Sequence, residues 1–442
     1  MRHKLIALVA TIAIIPVKLF ANGGTFSTSA VQRTGDLVPL KKEAITLQRE
    51  ELSIRIEEDD AFVRVSYELL NHGPADTVTF GFPVDLVTEE TLLAPNGYDY
   101  VLSKSLRDFH VRDNNQPVPV ERVITKPLAR GARPDGIDPK MELVRRWSLM
   151  SLRFAAGERK HLTVNYRVRC FGTDYGFEGD WDWKFSERTL FYSFRPAATW
   201  GDGHVGELAV SIDATWLHER GIPTIGLSPR GEANDRGLIR WTFRDRALDT
   251  LADLTFKYNP AEFYRHEAIS RRLIPKRALT GLKVSSALCS SGTARYSMET
   301  MLDRDLKTSW AEGVSGSGIG ESIVYVPKKV NLASIGLLNG YWASESLYYA
   351  NSRIKRLRVE LDVRGEGVEA NNRHRVVETD LPDRPYTELN LRYPLNSVDW
   401  VVNHGDGDGI VERVRLTILE VYPGRKYEDT AITEFYVCGI EQ

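Results

Sequence analysis

The chain has three cysteines and a formal net charge of −2 over 442 residues, and no long apolar run beyond its first twenty-one positions. Near-neutrality excludes a whole-protein role in nucleic-acid binding, which needs a concentrated basic surface. Without an apolar stretch of about 20 residues there is no transmembrane helix. The nine histidines form no H-x-H or H-E-x-x-H pattern, so no zinc-enzyme signature is present. No G-x-S-x-G nucleophile elbow occurs. Internal repeats and low-complexity tracts are also missing.

What is there begins with Arg2, His3 and Lys4, followed by an apolar run from Leu5 to Phe20 that Pro16 and Lys18 interrupt, then Ala21. A positive start, a short apolar stretch and a small residue read as an export signal over residues 1–21, cleaved after Ala21. No cysteine follows to take a lipid anchor. The expected mature protein is soluble, periplasmic or secreted, with no transmembrane anchor after cleavage. Hydrophobic content of 42% and charged content of 27% are ordinary for a globular chain.

Period-two alternation dominates the rest. Val63, Val65, Tyr67 and Leu69 alternate with Arg64, Ser66 and Glu68. Leu162, Val164, Tyr166 and Val168 repeat the pattern, as do Leu357, Val359, Leu361 and Val363. Each reads as a half-buried antiparallel strand. Turns such as Asn71-His72-Gly73-Pro74 and Gly201-Asp202-Gly203 recur between them. Helical periodicity is weak outside Glu262–Arg272. A basic stretch with Arg265, Arg271, Arg272, Lys276 and Arg277, diluted by Glu262 and Glu267, reads as an inter-domain connector rather than a binding patch. The expectation is an all-β protein: a domain over 22–260, a linker over 261–281 and a second domain over 282–442.

Four segments of the last third are polar loops punctuated by Gly and Asp between short β-patterned runs. They are Met301–Trp310 (MLDRDLKTSW), Glu312–Glu321 (EGVSGSGIGE), Asn339–Lys355 (NGYWASESLYYANSRIK) and Val421–Glu434 (VYPGRKYEDTAITE). In order and spacing they resemble the discoidin-like, or coagulation factor five/eight type C, jelly roll (a galactose-binding-like fold). The variety they look like is the NAD glycohydrolase translocation domain, an NADase-type glycan-binding domain. That resemblance implies a binding module for a glycan or another cell-envelope surface ligand. It does not carry the glycohydrolase activity, because the enzymatic domain of that toxin is a separate one. Residues 22–260, through Gly35–Val38, Ile45–Leu52, Val63–Leu69 and Phe80–Pro83, look like an exported bacterial family of unknown function. This second resemblance implies a β-sandwich and no activity.

The candidate residues follow from the first resemblance. Glu312, Tyr341, Tyr349, Asn351 and Arg353 are the expected ligand readers, since sugar recognition pairs flat apolar faces with planar hydrogen-bonding groups. The opposing reading is structural hydrogen bonding, and core packing for Trp310 and Tyr341. Asp303, Asp305, Thr308 and Glu434 are expected to hold a structural calcium ion, a hard cation that takes six to eight oxygens. Otherwise the two aspartates cap a turn and Glu434 is salt-bridged or exposed. No other cofactor is expected. The resemblance also places first and last strands close, implying a Cys289–Cys438 disulfide, with two free buried thiols as the alternative. Cys170 is then a core thiol.

Three further patterns read as bland. Gly316–Glu321 lacks dinucleotide spacing, and Asp406-Gly407-Asp408-Gly409 lacks the remaining ligands of an EF-hand. The acids interleaved with aromatics over 174–187 could form a glycosidase pair but read more simply as the solvent face of a sheet. The protein is therefore expected to be a non-catalytic binding protein. The alternatives are an envelope hydrolase with its active site in the N-terminal half, and a structural envelope protein that binds nothing small.

Overall fold

Strands Ile45–Glu57 and Asp60–Asn71 pair antiparallel along their length, joined through Glu58, which adopts a φ of +53°. Val63, Val65, Tyr67 and Leu69 all lie inside, as their alternation requires. A computed structural model describes residues 30–35, 38–39, 44–89, 106–127, 141–175, 184–234, 236–290, 295–365, 373–404 and 409–441. The export-signal region, the tip at 406–408 and most of the acidic-aromatic stretch 174–187 lie outside the described residues.

The N-terminal half is a two-layer sandwich. One sheet runs in the order Glu232–Ala233, Leu238–Ala247, His204–Asp213, Ile45–Glu57, Asp60–Asn71, Arg159–Arg169, Leu106–Asp113, Gln116–Val118. The facing sheet is built on the long pair Asp76–Glu89 and Met141–Phe154, flanked by Ala30–Gly35 and Arg122–Pro127. Phe80, Phe82, Phe154, Tyr192 and Trp200 fill one continuous core between them. Cys170 is in that core, and burial pushes its thiol up to about 12, as a core thiol should be.

The C-terminal part stacks a second pair of sheets. One runs Leu282–Val284, Ser322–Tyr325, Ile410–Tyr422, Arg353–Arg364, Arg373–Asp380; the other runs Trp310–Ala311, Ala431–Glu441, Val330–Asn339, Asp399–Asn403. Trp310 is fully buried with its indole N–H donating to the Ser286 carbonyl at 3.0 Å, so it is a core residue. The protein is all-β, a sandwich followed by a discoidin-like jelly roll.

The connector is not a free linker. Helix Ala261–Ser270 lies between the two parts. Phe263 meets Trp216 of the sandwich edge-on at 5.5 Å and Tyr393 of the jelly roll at 6.1 Å. Tyr264 donates to Asp59 at 3.1 Å, and Asn396 donates to the Glu262 carbonyl at 2.9 Å. Tyr393 and Arg392 donate directly to the carbonyls of Arg220 and Glu219. After the helix, Ile274 N–H donates to Val437 O at 2.8 Å, and Ile274, Ala278 and Leu279 enter the jelly-roll core. The stretch read as linker up to residue 281 thus contributes to the domain that follows. Single apolar residues in a basic segment have no period to announce that.

Candidate functional site at the loop end of the jelly roll

The quoted loop segments converge at one end of the jelly roll because the strands feeding them are neighbours. Arg353, opening one strand, pairs with Tyr422, closing the next. Gly320 N–H bonds to Ile418 O nearby. The Thr430 hydroxyl donates to the Ser317 carbonyl at 2.8 Å, tying the 313–320 loop to the 423–430 loop.

Within Asn339–Lys355 the chain forms a short helix, Glu345–Ala350, where the sequence shows no helical period. Six residues are too few to display one. Ser344 caps it, accepting from Leu347 N–H at 3.2 Å, and Asn351 ends it by donating its amide to Leu347 O at 2.8 Å. Arg353 is buried; it donates to Tyr348 O at 3.0 Å and to Asp383 at 2.9 Å. Its guanidinium lies 4.7 Å from the Tyr348 ring centre. Glu312 is fully buried and accepts from Val314 N–H at 2.9 Å and Thr430 N–H at 3.2 Å. Burial raises its carboxyl pKa while those two amides oppose the rise.

These positions correct the expectation for three residues. Glu312, Asn351 and Arg353 face inward with their polar groups engaged, so they brace the loops instead of reading a ligand. Where strands end, backbone groups lose ladder partners and side chains supply them. Tyr341 and Tyr349 are half-buried. The Tyr341 hydroxyl donates to Lys307 O at 3.2 Å, and the Tyr349 hydroxyl accepts from Tyr386 N–H at 3.0 Å.

The calcium expectation also meets a different arrangement. The Thr308 hydroxyl donates to Asp303 at 2.9 Å and its N–H to Asp305 O at 3.1 Å, while Asp303 accepts Asp305 N–H at 2.9 Å. This closes a turn upon itself. Glu434 instead faces Arg304, whose Nη1 is 3.2 Å from its Oε2. The same guanidinium stands 4.1 Å from the Tyr436 ring centre. Among the described residues no group of three or more His, Cys, Asp or Glu converges to hold a metal. Asp303, Asp305, Thr308 and Glu434 do not fit a calcium ion, because a guanidinium occupies the cationic position beside Glu434. Burial pushes the Glu434 carboxyl up to about 8, with Arg304 pulling in the other direction.

The Cys289–Cys438 disulfide is not formed; Cys289 is exposed and Cys438 buried, both free. Leu288 N–H bonds to Ala311 O, and Ala311 pairs with Ala431 at the start of the last strand. Cys438 lies seven residues further along, roughly 23 Å at about 3.3 Å per residue. A disulfide needs Cα atoms within about 7 Å.

What sequence reading missed is the outward face of the same loops. Tyr427 is 41% exposed, with Lys426 Nζ 4.9 Å from its ring centre. Arg425 stacks over Tyr349 at 4.3 Å. On the tied neighbour loop, Val314 is 39% and Ile319 is 61% exposed. Apolar residues in a Gly- and Ser-rich loop were the available signal, since such a loop has no core to fill.

A jelly roll whose braced loops present aromatic, aliphatic and cationic groups at one end belongs to the class of binding modules. Consistent with this, residues 275–438 match the family described as NAD glycohydrolase translocation F5/8 type C domain. No curated protein matches the chain. Among solved structures, a candidate nutrient-binding protein from Legionella pneumophila is 15% identical, covering 55% of this chain and 76% of that one, with a TM-score of 0.34. An F5/8 type C domain from Bacteroides fragilis is 15% identical over 38% of this chain and 97% of that one, with a TM-score of 0.24. A candidate chitobiase fragment from Bacteroides thetaiotaomicron shares 15% identity over 38% and 93%, also at 0.24. All three likenesses are partial, with TM-scores of 0.34 or less.

Proposed function

We propose that this is an exported, non-catalytic binding protein. Its parts are a sandwich over 22–260, a connector over 261–281 whose second half packs into the jelly-roll core, and a jelly roll over 282–442 that recognises a glycan or another cell-surface ligand. The observation that carries the reading is the exposed set Tyr427, Val314 and Ile319 beside Arg425 and Lys426, on two loops tied by Thr430 and Ser317. An exposed ring gives a stacking face, and Arg and Lys add donors for hydroxyls or anionic groups. The buried Glu312, accepting from Val314 and Thr430 N–H, holds those two loops in one shape, which lowers the ordering cost of binding. The test is a glycan array on the full chain, followed by affinity and melting of Tyr427→Ala and Arg425→Ala. Expected are unchanged melting and a loss of about ten- to a hundred-fold in affinity. A structural envelope protein would show no array signal, and stable variants with undiminished affinity would remove this loop end as the site.

A further inference from the structure

The outer face of the N-terminal sandwich carries a second organised polar surface. Strands His204–Asp213, Ile45–Glu57, Asp60–Asn71, Arg159–Arg169 and Leu106–Asp113 lie side by side in the middle of one sheet. Their register sets Ser211, Ser53, Arg64, Asn165 and His110 directly across from one another. The neighbouring row on the same face carries Asp213, Arg55, Phe62 and Arg167. The residues between the rows (Ile54, Val63, Tyr166) are buried, so both rows face outward. Together they line a shallow groove of about 420 Å³. Five strands spaced about 4.8 Å apart make it roughly 19 Å across.

The groove is built and charged in a particular way. Arg55 and Arg167 sandwich Phe62, with guanidinium carbons 4.4 and 4.8 Å from its ring centre. Arg55 pairs with Glu57, and Arg167 pairs with Asp60. Asp213 is engaged with Thr215 N–H at 3.0 Å. Asp108, at a φ of +56°, closes one end, and its carbonyl accepts from His110 Nδ1–H at 2.8 Å. Arg64 is exposed in the centre and has no carboxylate partner among the described residues. In its own row it is flanked by hydroxyl, amide and imidazole groups, which donate and accept; Arg55 and Arg167 lie one row to one side, and Glu51 and Arg112 one row to the other.

We infer that this groove binds an acidic saccharide across the strands, its carboxylate on Arg64 and its hydroxyls on Ser53, Ser211, Asn165 and His110. A peptide added as a strand would need a sheet edge, and these five strands are interior. A peptide held by side chains would need apolar pockets, and the one aromatic ring is covered by guanidiniums. Nucleic acid would need many unpartnered cations. The site is separate from the loop end of the jelly roll.

The experiment measures binding of the full chain to polygalacturonate oligomers, with neutral dextran and polyglutamate of similar length as comparison probes. Expected is salt-sensitive binding of polygalacturonate alone. Arg64→Ala should weaken it at least about ten-fold without changing the melting temperature, since the side chain has no described partner. Asn165→Ala should weaken it less, and Val376→Ala, exposed on a jelly-roll strand outside both sites, should leave it unchanged. Undiminished binding by Arg64→Ala, equal binding of dextran or polyglutamate, or an equal loss in Val376→Ala would each overturn the inference.

Discussion

Glu434 shows how one buried side chain sets a property of the whole domain. Its carboxyl ordinarily titrates near 4.5 and is pushed up to about 8 by burial, despite Arg304 at 3.2 Å. The folded state therefore holds a proton that the unfolded state releases between those values. Its stabilising contribution is complete below about 4.5 and is lost as pH rises through about 8. The melting temperature should fall over that window, and Glu434→Gln should flatten the fall. Melting curves of both proteins from pH 5 to 9 check it; an unchanged slope in the variant would refute it. At this scale sequence reading found the right residue, and the alternative it named, a salt bridge, is the arrangement the structure has. Glu434 was legible as a calcium ligand or, failing that, as a salt-bridged or exposed acid; that its partner is Arg304 depends on a turn that brings the last strand and residue 304 together.

At the scale of elements, the strands were legible and the braces were not. Leu357, Val359, Leu361 and Val363 lie in Arg353–Arg364 with their faces inside, as alternation dictates. The short helix Glu345–Ala350 and its closure by Asn351 and Arg353 left no period to read. Arg353 holds that corner, so Arg353→Ala should leave the Tyr348 carbonyl without its donor and Asp383 without its pair. The expected loss is about 1–3 kcal/mol. Chemical denaturation measures it, and affinity of the folded fraction at the loop end should not change. A variant as stable as the parent would mean that the corner is held by something else.

For the whole molecule, the decisive feature is the helix Ala261–Ser270, which touches both parts. The chain beyond it supplies Ile274, Ala278 and Leu279 to the jelly-roll core and the Ile274–Val437 backbone bond. A fragment starting at residue 282 omits all of these; one starting at 261 keeps them. Burying such side chains contributes about 1.5–3 kcal/mol for a large aliphatic group. The shorter fragment should thus melt well below the longer, by calorimetry. Equal melting would show that the segment merely rests on the domain.

The sequence by itself determined the all-β class and the inward faces of the strands, because alternation and turn chemistry are local properties; the discoidin-like character of the last third came from the resemblance its four loop segments carry. It also placed Trp310 and Cys170 inside. Tertiary structure alone decided that Glu312, Asn351 and Arg353 brace loops, that Arg304 sits where a metal was expected and that Cys289 lies a strand's length from Cys438. It also aligned Arg64 with Ser53 and Asn165 across the sheet. Each depends on which distant segments meet: alternation fixes which face of a strand is buried, whereas which strands become neighbours, such as Ile45–Glu57 beside His204–Asp213, is decided by the whole sheet.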